Sequence, residues 1–137
     1  MVVRVVRLGS PRIEDEGIRI GTVRRPPRGV PKAEFASRNW HDVWFPNLAP
    51  SVETLKLGQE AVTPAQWSAF AKKYRAEMSK PEAQHALELL AALSRSSNFS
   101  VGCYCEDEEH CHRSVLRELL VEKGADLDGQ QKGPGPN

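Results

Sequence analysis

The segment FSVGCYCEDEEHCHRSVLRELLVEKG, residues 99–124, decides how this chain is read. Its first seven residues, 99 to 105, are apolar or small and read as a strand. The acidic connector EDEEH follows. From Cys111 to about Lys123, His112, Val115, Leu116 and Leu119 recur at i, i+3, i+4 and i+7, the spacing of one helical face. Gly124 stands where a helix is usually closed. His112 heads the apolar stripe, so its ring is expected to turn inward, toward the strand end.

Upstream lie two helices. Thr63 and Gln66 form a capping box with Pro64 at the first helical position, and Trp67, Phe70, Ala71, Tyr74 and Met78 then share a face. The next helix runs from about Pro81 to Ser94, with Ser79 and Glu82 as its expected cap and Leu87, Leu90 and Leu93 as its apolar side. Val2 to Leu8 and residues 18 to 23 (IRIGTV) read as strands, although Gly21 weakens the second. The prolines of residues 24 to 32 (RRPPRGVPK) impose a loop. Residues 40 to 50 read as an irregular or edge segment, followed by a short helix over about 51 to 57. Strands interleaved with helices predict an α/β fold, a small layered domain with a short, mostly parallel sheet flanked by helices. Residues 1–128 form the expected single domain, and residues 129–137 a disordered tail without an apolar side chain.

Composition excludes several classes of function. The 137 residues are 39% hydrophobic and 27% charged, which is ordinary for a soluble domain, and the net charge of +1 exerts no global pull on nucleic acid or anionic membrane. No apolar run approaches the roughly 20 residues that span a bilayer. The first residues do not form a targeting signal, so a cytoplasmic location is expected. The three cysteines are an odd number and lie within residues 103 to 111, which argues for reduced, functional or buried thiols over a disulfide framework.

The strand-to-helix junction, residues 103 to 113, concentrates the chemistry. Cys103 and Cys105 are two apart, so an unbroken strand would put them on one face. Cys111 stands at a helix N-terminus beside His110, His112 and Arg113, an environment that favours a thiolate. Cys111 or Cys105 is then a candidate nucleophile with His112 as its base. Glu106 could orient an imidazole or pair with Arg113. Alternatively, Cys103, Cys105, Cys111 and His110 offer sulfur and imidazole ligands suited to zinc or iron. Far away in sequence, Arg24, Arg25, Arg28 and Lys32 crowd a proline-stiffened loop, and arginine forks suit phosphate and carboxylate. If Arg24, Arg25, Arg28 and Arg113 converge near the junction, they form a site for a small anionic ligand. Trp40, Trp44 and Phe45 could stack on a base or fill the core.

The runs IRIGTVRRPPRGVPK, LAPS (48–51), KYRAEM (73–78) and EDEEHCHRSVL (106–116) together resemble the YeaO-like proteins, the domain of unknown function family 488. The resemblance covers roughly residues 17 to 121. It implies a compact α/β domain and does not imply an activity. Arg28, Gly29, His110 and His112 match one branch of that family, which carries Asp-Arg-Leu-Trp-Pro-Arg-Gly and His-Asn-His segments. Cys105, Glu106, Cys111, His112 and Arg113 suit another branch, which carries Cys-x-Glu and later Cys-His-Arg, once the intervening residue is dropped. Arg24 stands where the first branch has Asp, the loop is one residue shorter, and its Trp is missing. His112 is common to both patterns.

Three functional readings result. The leading one is an enzyme, or enzyme-like binder, for a small phosphate- or nucleotide-bearing molecule. The second is a transition-metal protein. The third is a non-catalytic interaction domain using residues 40 to 50. Nucleic-acid binding has little support from a near-neutral chain with one short basic loop. The oligomeric state is left open.

Overall fold

The computed structural model describes residues 1–105 and 110–128. Strands β1 (Val3–Arg7), β2 (Ile18–Gly21) and β3 (Val43–Trp44) come first. Helices α1 (Val52–Glu60), α2 (Pro64–Met78) and α3 (Pro81–Ser94) follow. Strand β4 (Phe99–Cys103) and helix α4 (His112–Glu122) end the order. The sheet runs β1-β4-β2-β3 and every pairing in it is parallel. The chain is therefore a small α/β domain with a parallel sheet, as expected.

β4 lies between β1 and β2, and all five of its residues are buried. This explains why FSVGC does not alternate: a central strand of a parallel sheet is covered on both faces. Val5, Val101 and Ile20 stand in register across three strands, as do Val3, Phe99 and Ile18. Against that row pack Phe70, Tyr74 and Met78 of α2, Leu87 and Leu90 of α3, and Leu116 and Leu120 of α4. Tyr74 keeps its place in this core because its hydroxyl donates to the Leu48 carbonyl at 2.6 Å.

The opposite row, Arg4, Ser100 and Arg19, is polar. Arg19 is nevertheless fully buried, with its guanidinium on Glu16 and on the backbone carbonyls of Ser10 and Asn39. His41 lies directly over Gly21, where a side chain would collide with the imidazole ring. The segments before β2 and before β3 are thereby fastened across the second face of the sheet.

Local signals act largely as expected, with four differences. The capping box of Thr63 and Gln66 opens α2, and Gly124, at a φ of 84°, follows the end of α4. Helix α1, capped by Ser51, continues past residue 57 to Glu60. Ser79 does not cap α3. Pro81 sets the first turn, extended Lys80 is the N-cap without a side-chain bond, and the Ser79 hydroxyl instead donates to Ala76 at the end of α2. The second strand stops at Gly21 and the last at Cys103, two residues short of expectation in each case. Among the described residues, no helix is long and apolar enough to cross a membrane. Residues 106–109 of the acidic connector, Glu106 among them, and the tail of residues 129–137 lie outside the described residues.

Candidate functional site

Parallel strands deliver their carboxyl ends to one edge of the sheet, where α/β proteins commonly hold ligands. A cavity of about 670 Å³ opens at that edge. Leu8 and Gly9 reach it from the end of β1, Val23 and the loop of Arg24 to Arg28 from the end of β2, and Cys103, Tyr104 and Cys105 from the end of β4. Trp40 and the α1 residues Leu55 and Gln59 complete its walls, and His112 stands at its floor. The proline-stiffened basic loop and the strand-to-helix junction, some eighty residues apart in sequence, therefore share one cavity. The Tyr104 hydroxyl joins them by donating to the Arg25 carbonyl at 2.8 Å. The Tyr104 and Trp40 rings meet edge to face, 5.8 Å apart.

The floor is built from the end of β4 and the first turn of α4. Cys103 and Cys111 are each 2% exposed and His112 is 5% exposed. Leu8, Val23, Trp40 and Tyr104 pack around the two cysteines. The sulfurs of Cys103 and Cys111 meet face to face, with Cα atoms 8.0 Å apart. Cys111 is the N-cap of α4, as its position predicted, and its side chain makes no cap hydrogen bond.

His112 Nε2 lies 2.8 Å from the Thr22 carbonyl. A carbonyl only accepts, so Nε2 carries the ring proton and Nδ1 carries the lone pair. Nδ1 faces Cys111 Sγ at 3.8 Å. Burial pushes the His112 pKa down to about 4, assisted by the Arg113 charge and opposed by the Thr22 contact. The ring is thus a neutral acceptor at ordinary pH. Tyr74 holds it edge to face at 5.5 Å. The ligating atoms of Cys103, Cys111 and His112 all lie within 4.8 Å of one another.

The remaining site residues fall in different places. Arg25 and Arg28 are exposed on the cavity rim. Arg24 borders the cavity, but its Nε donates to Pro50 and its Nη2 to Pro46 and Ala49, so it is committed to holding the turn before α1. Arg113 corrects a second expectation: it is buried, does not line the cavity, and donates to the Cys105 carbonyl at 2.6 Å. Cys105 is exposed at the rim and does not share a face with Cys103, because β4 has already ended. His110 sets its ring against Trp67 at 5.8 Å and stands apart from the sulfur cluster. Among the described residues, the side chains of this kind whose ligating atoms converge are Cys103, Cys111 and His112. Glu106 is outside the described residues.

Three contributors escaped the sequence reading. Arg7 reaches the rim with its Nε donating to the Tyr104 carbonyl at 3.3 Å, Tyr104 closes the loop, and Thr22 orients His112. Arg7 was accessible to the rule that sites gather at strand carboxyl ends. Thr22 acts through its backbone, which no side-chain pattern reveals.

No curated protein and no solved structure matches the chain. One family does, over residues 3–124: DUF488-N3a, described as the active DUF488-N3 subclade. The motifs that resembled YeaO-like proteins fall inside the matched region, and the chain belongs to the DUF488 family.

Proposed function

We propose that this protein is an enzyme-type binder of a small phosphate-bearing molecule, of mononucleotide size, in the cavity at the carboxyl edge of the sheet. One observation carries the reading: Arg25 and Arg28, on a loop stiffened by Pro26 and Pro27, line the same cavity as Cys103 and His112. A stiff loop loses little entropy when an anion docks on its arginines. The volume suits a small ligand, whose usual pockets span about 300–1,000 Å³. Trp40 and Tyr104 offer aromatic surface for a base, Arg25 and Arg28 hold the phosphate, and Cys103 and His112 face the reacting group. The subclade's description as active agrees with a retained chemical site.

The interaction-domain reading has weaker support. It needs one apolar patch, and the aromatic side chains of residues 40 to 45 instead diverge. Trp40 lines the cavity, Phe45 packs against the main core, and Trp44 is 44% exposed with its indole donating to Val23.

Thermal-shift and calorimetric titrations with inorganic phosphate and with mononucleotides test the proposal. Stabilisation by a mononucleotide that falls with added salt, is lost in an Arg25→Ala/Arg28→Ala double variant and is lost in His112→Ala is the expected result. A double variant that binds every such ligand as tightly as the parent overturns it.

A further inference from the structure

The three floor side chains share a property that anion binding does not use: they are a ligand set. We propose that Cys103, Cys111 and His112 bind a zinc ion whose fourth coordination position opens into the cavity.

Geometry is the first argument. Zn–S bonds of about 2.3 Å and Zn–N bonds of about 2.0 Å, arranged tetrahedrally, put two sulfurs about 3.8 Å apart and a sulfur and nitrogen about 3.5 Å apart. His112 Nδ1 and Cys111 Sγ are already separated by 3.8 Å, and all three ligating atoms lie within 4.8 Å of one another. The Cα atoms of Cys103 and Cys111 are 8.0 Å apart. Disulfides usually join Cα atoms about 4.4–6.8 Å apart, whereas an ion between the sulfurs adds nearly 2 Å to that reach.

Orientation is the second. A histidine that ligates a metal generally donates its other ring N–H to a fixed acceptor, which selects the tautomer and aims the lone pair. The Thr22 carbonyl does this for His112 at 2.8 Å, leaving Nδ1 directed at the sulfurs.

Charge is the third. Two thiolates buried alone would be costly, but two thiolates, a divalent ion and a neutral imidazole sum to zero, which suits side chains with 2–5% exposure. Sulfur and imidazole ligands favour zinc over magnesium or calcium. Two cysteines and one histidine also form a recognised open zinc set, in which water or substrate takes the fourth place. Here Cys103 and His112 line the cavity, so the vacant vertex faces the cavity. The ion's existence does not depend on the phosphate-ligand reading; only the identity of the group at that vertex does.

The test is made on the full chain, purified without a polyhistidine tag in the presence of a thiol reductant. Metal content is measured by mass spectrometry, and the protein is then exchanged with cobalt(II) as a spectroscopic probe. One zinc per chain, and a tetrahedral cobalt spectrum with thiolate charge-transfer absorption, are expected. Both are lost in Cys103→Ser and Cys111→Ser, sharply weakened in His112→Gln, and retained in Cys105→Ser. If those variants do not fold, the cobalt spectrum of the parent decides alone. Reduced parent protein that takes up neither ion, or that keeps a Cys103–Cys111 disulfide in excess zinc, overturns the proposal. So does loss of the metal in Cys105→Ser. The Arg25→Ala/Arg28→Ala variant keeps its zinc whatever happens to nucleotide binding, so the two proposals fail separately.

Discussion

Two buried polar clusters sit on this small sheet, and they are built on opposite principles. Behind β2, the cluster around Arg19 is closed. Its Nε and Nη2 donate to the two oxygens of Glu16 at 2.8 and 3.0 Å, its Nη1 donates to Ser10 and Asn39, and the Ser100 hydroxyl donates to Glu16 at 2.6 Å. Asp42 extends it by accepting from the Arg19 backbone and from both Nη atoms of Arg12. At the carboxyl edge, the cluster of Cys103, Cys111 and His112 is open. A nitrogen lone pair and two sulfurs converge beside a cavity, and the far side of the imidazole is anchored on the Thr22 carbonyl. A closed network fixes a fold, because each group answers another. An open one leaves its atoms facing a cavity, which is what the zinc proposal uses.

The largest effect is expected from breaking the closed cluster. Arg19→Ala leaves the buried Glu16 carboxylate without its charged partner and takes one donor from each of the Ser10 and Asn39 carbonyls. Removing one partner of a buried ion pair costs about 3–5 kcal/mol, a large part of a typical domain's total stability. Urea denaturation reads this directly, and a loss below about 1 kcal/mol would show the cluster to be dispensable. The same cluster sets the acid limit. Burial alone would raise the Glu16 pKa, but hydrogen bonds from Arg19 and Ser100 and the Arg19 charge together hold it below the usual value. Asp42 is lowered in the same way, burial opposing and Arg19 and Arg12 prevailing. A carboxyl whose folded pKa is depressed contributes stability above its unfolded pKa and loses it as pH falls through the folded one. Stability should therefore drop below about pH 4, and Arg19→Ala should flatten that dependence.

Zinc sharpens the comparison from the other side. A ligand that binds only the folded state, at a hundred times its Kd, stabilises by about 2.7 kcal/mol. Reduced parent protein should gain of that order in thermal unfolding with zinc and lose it to a chelator. Cys111→Ser should gain nothing, and the closed cluster should not sense the ion at all. Equal stabilisation of parent and Cys111→Ser would place the metal elsewhere.

What could be read in advance follows the range of each interaction. The capping box of Thr63 and Gln66 and the inward turn of His112 are local, set within one or two helical turns, and both were legible. The meeting of the basic loop with the junction was legible only as a possibility, because parallel topology, not local pattern, brings residues 24 to 28 beside Cys103. Arg19 was invisible. Nothing in IRIGTV separates an arginine buried against Glu16 and Ser100 from one in water; the register of β2 on β4 decides it. Arg24, Arg25 and Arg28 looked equivalent, yet Arg24 is turned onto the carbonyls of Pro46, Ala49 and Pro50. The convergence of Cys103, Cys111 and His112 was not legible from spacing: β4 ends at Cys103, where its pairing with β1 ends, so the two-residue spacing does not put Cys105 on the face of Cys103.

The rim arginines should affect binding and not folding. Arg25 and Arg28 are exposed, and surface substitutions away from buried features usually stay within about 0.5 kcal/mol. The Arg25→Ala/Arg28→Ala variant should unfold with the parent while its mononucleotide stabilisation disappears. A large stability loss would mean that the loop is part of the fold's framework.

The smallest effect belongs to Cys105, and it bears most directly on where the open cluster ends. Cys105 lies two residues beyond Cys103 and would be a natural ligand or nucleophile by spacing alone, yet it sits exposed on the rim. Its backbone carbonyl accepts from Arg113. A serine keeps that carbonyl and replaces one atom of an exposed side chain. Cys105→Ser should therefore shift unfolding by no more than about 0.5 kcal/mol, and zinc content and nucleotide stabilisation should be unchanged. A variant that folds normally but no longer retains zinc would move the boundary of the cluster out to the rim. The cavity floor would then comprise three sulfurs and an imidazole, leaving no vertex for a ligand.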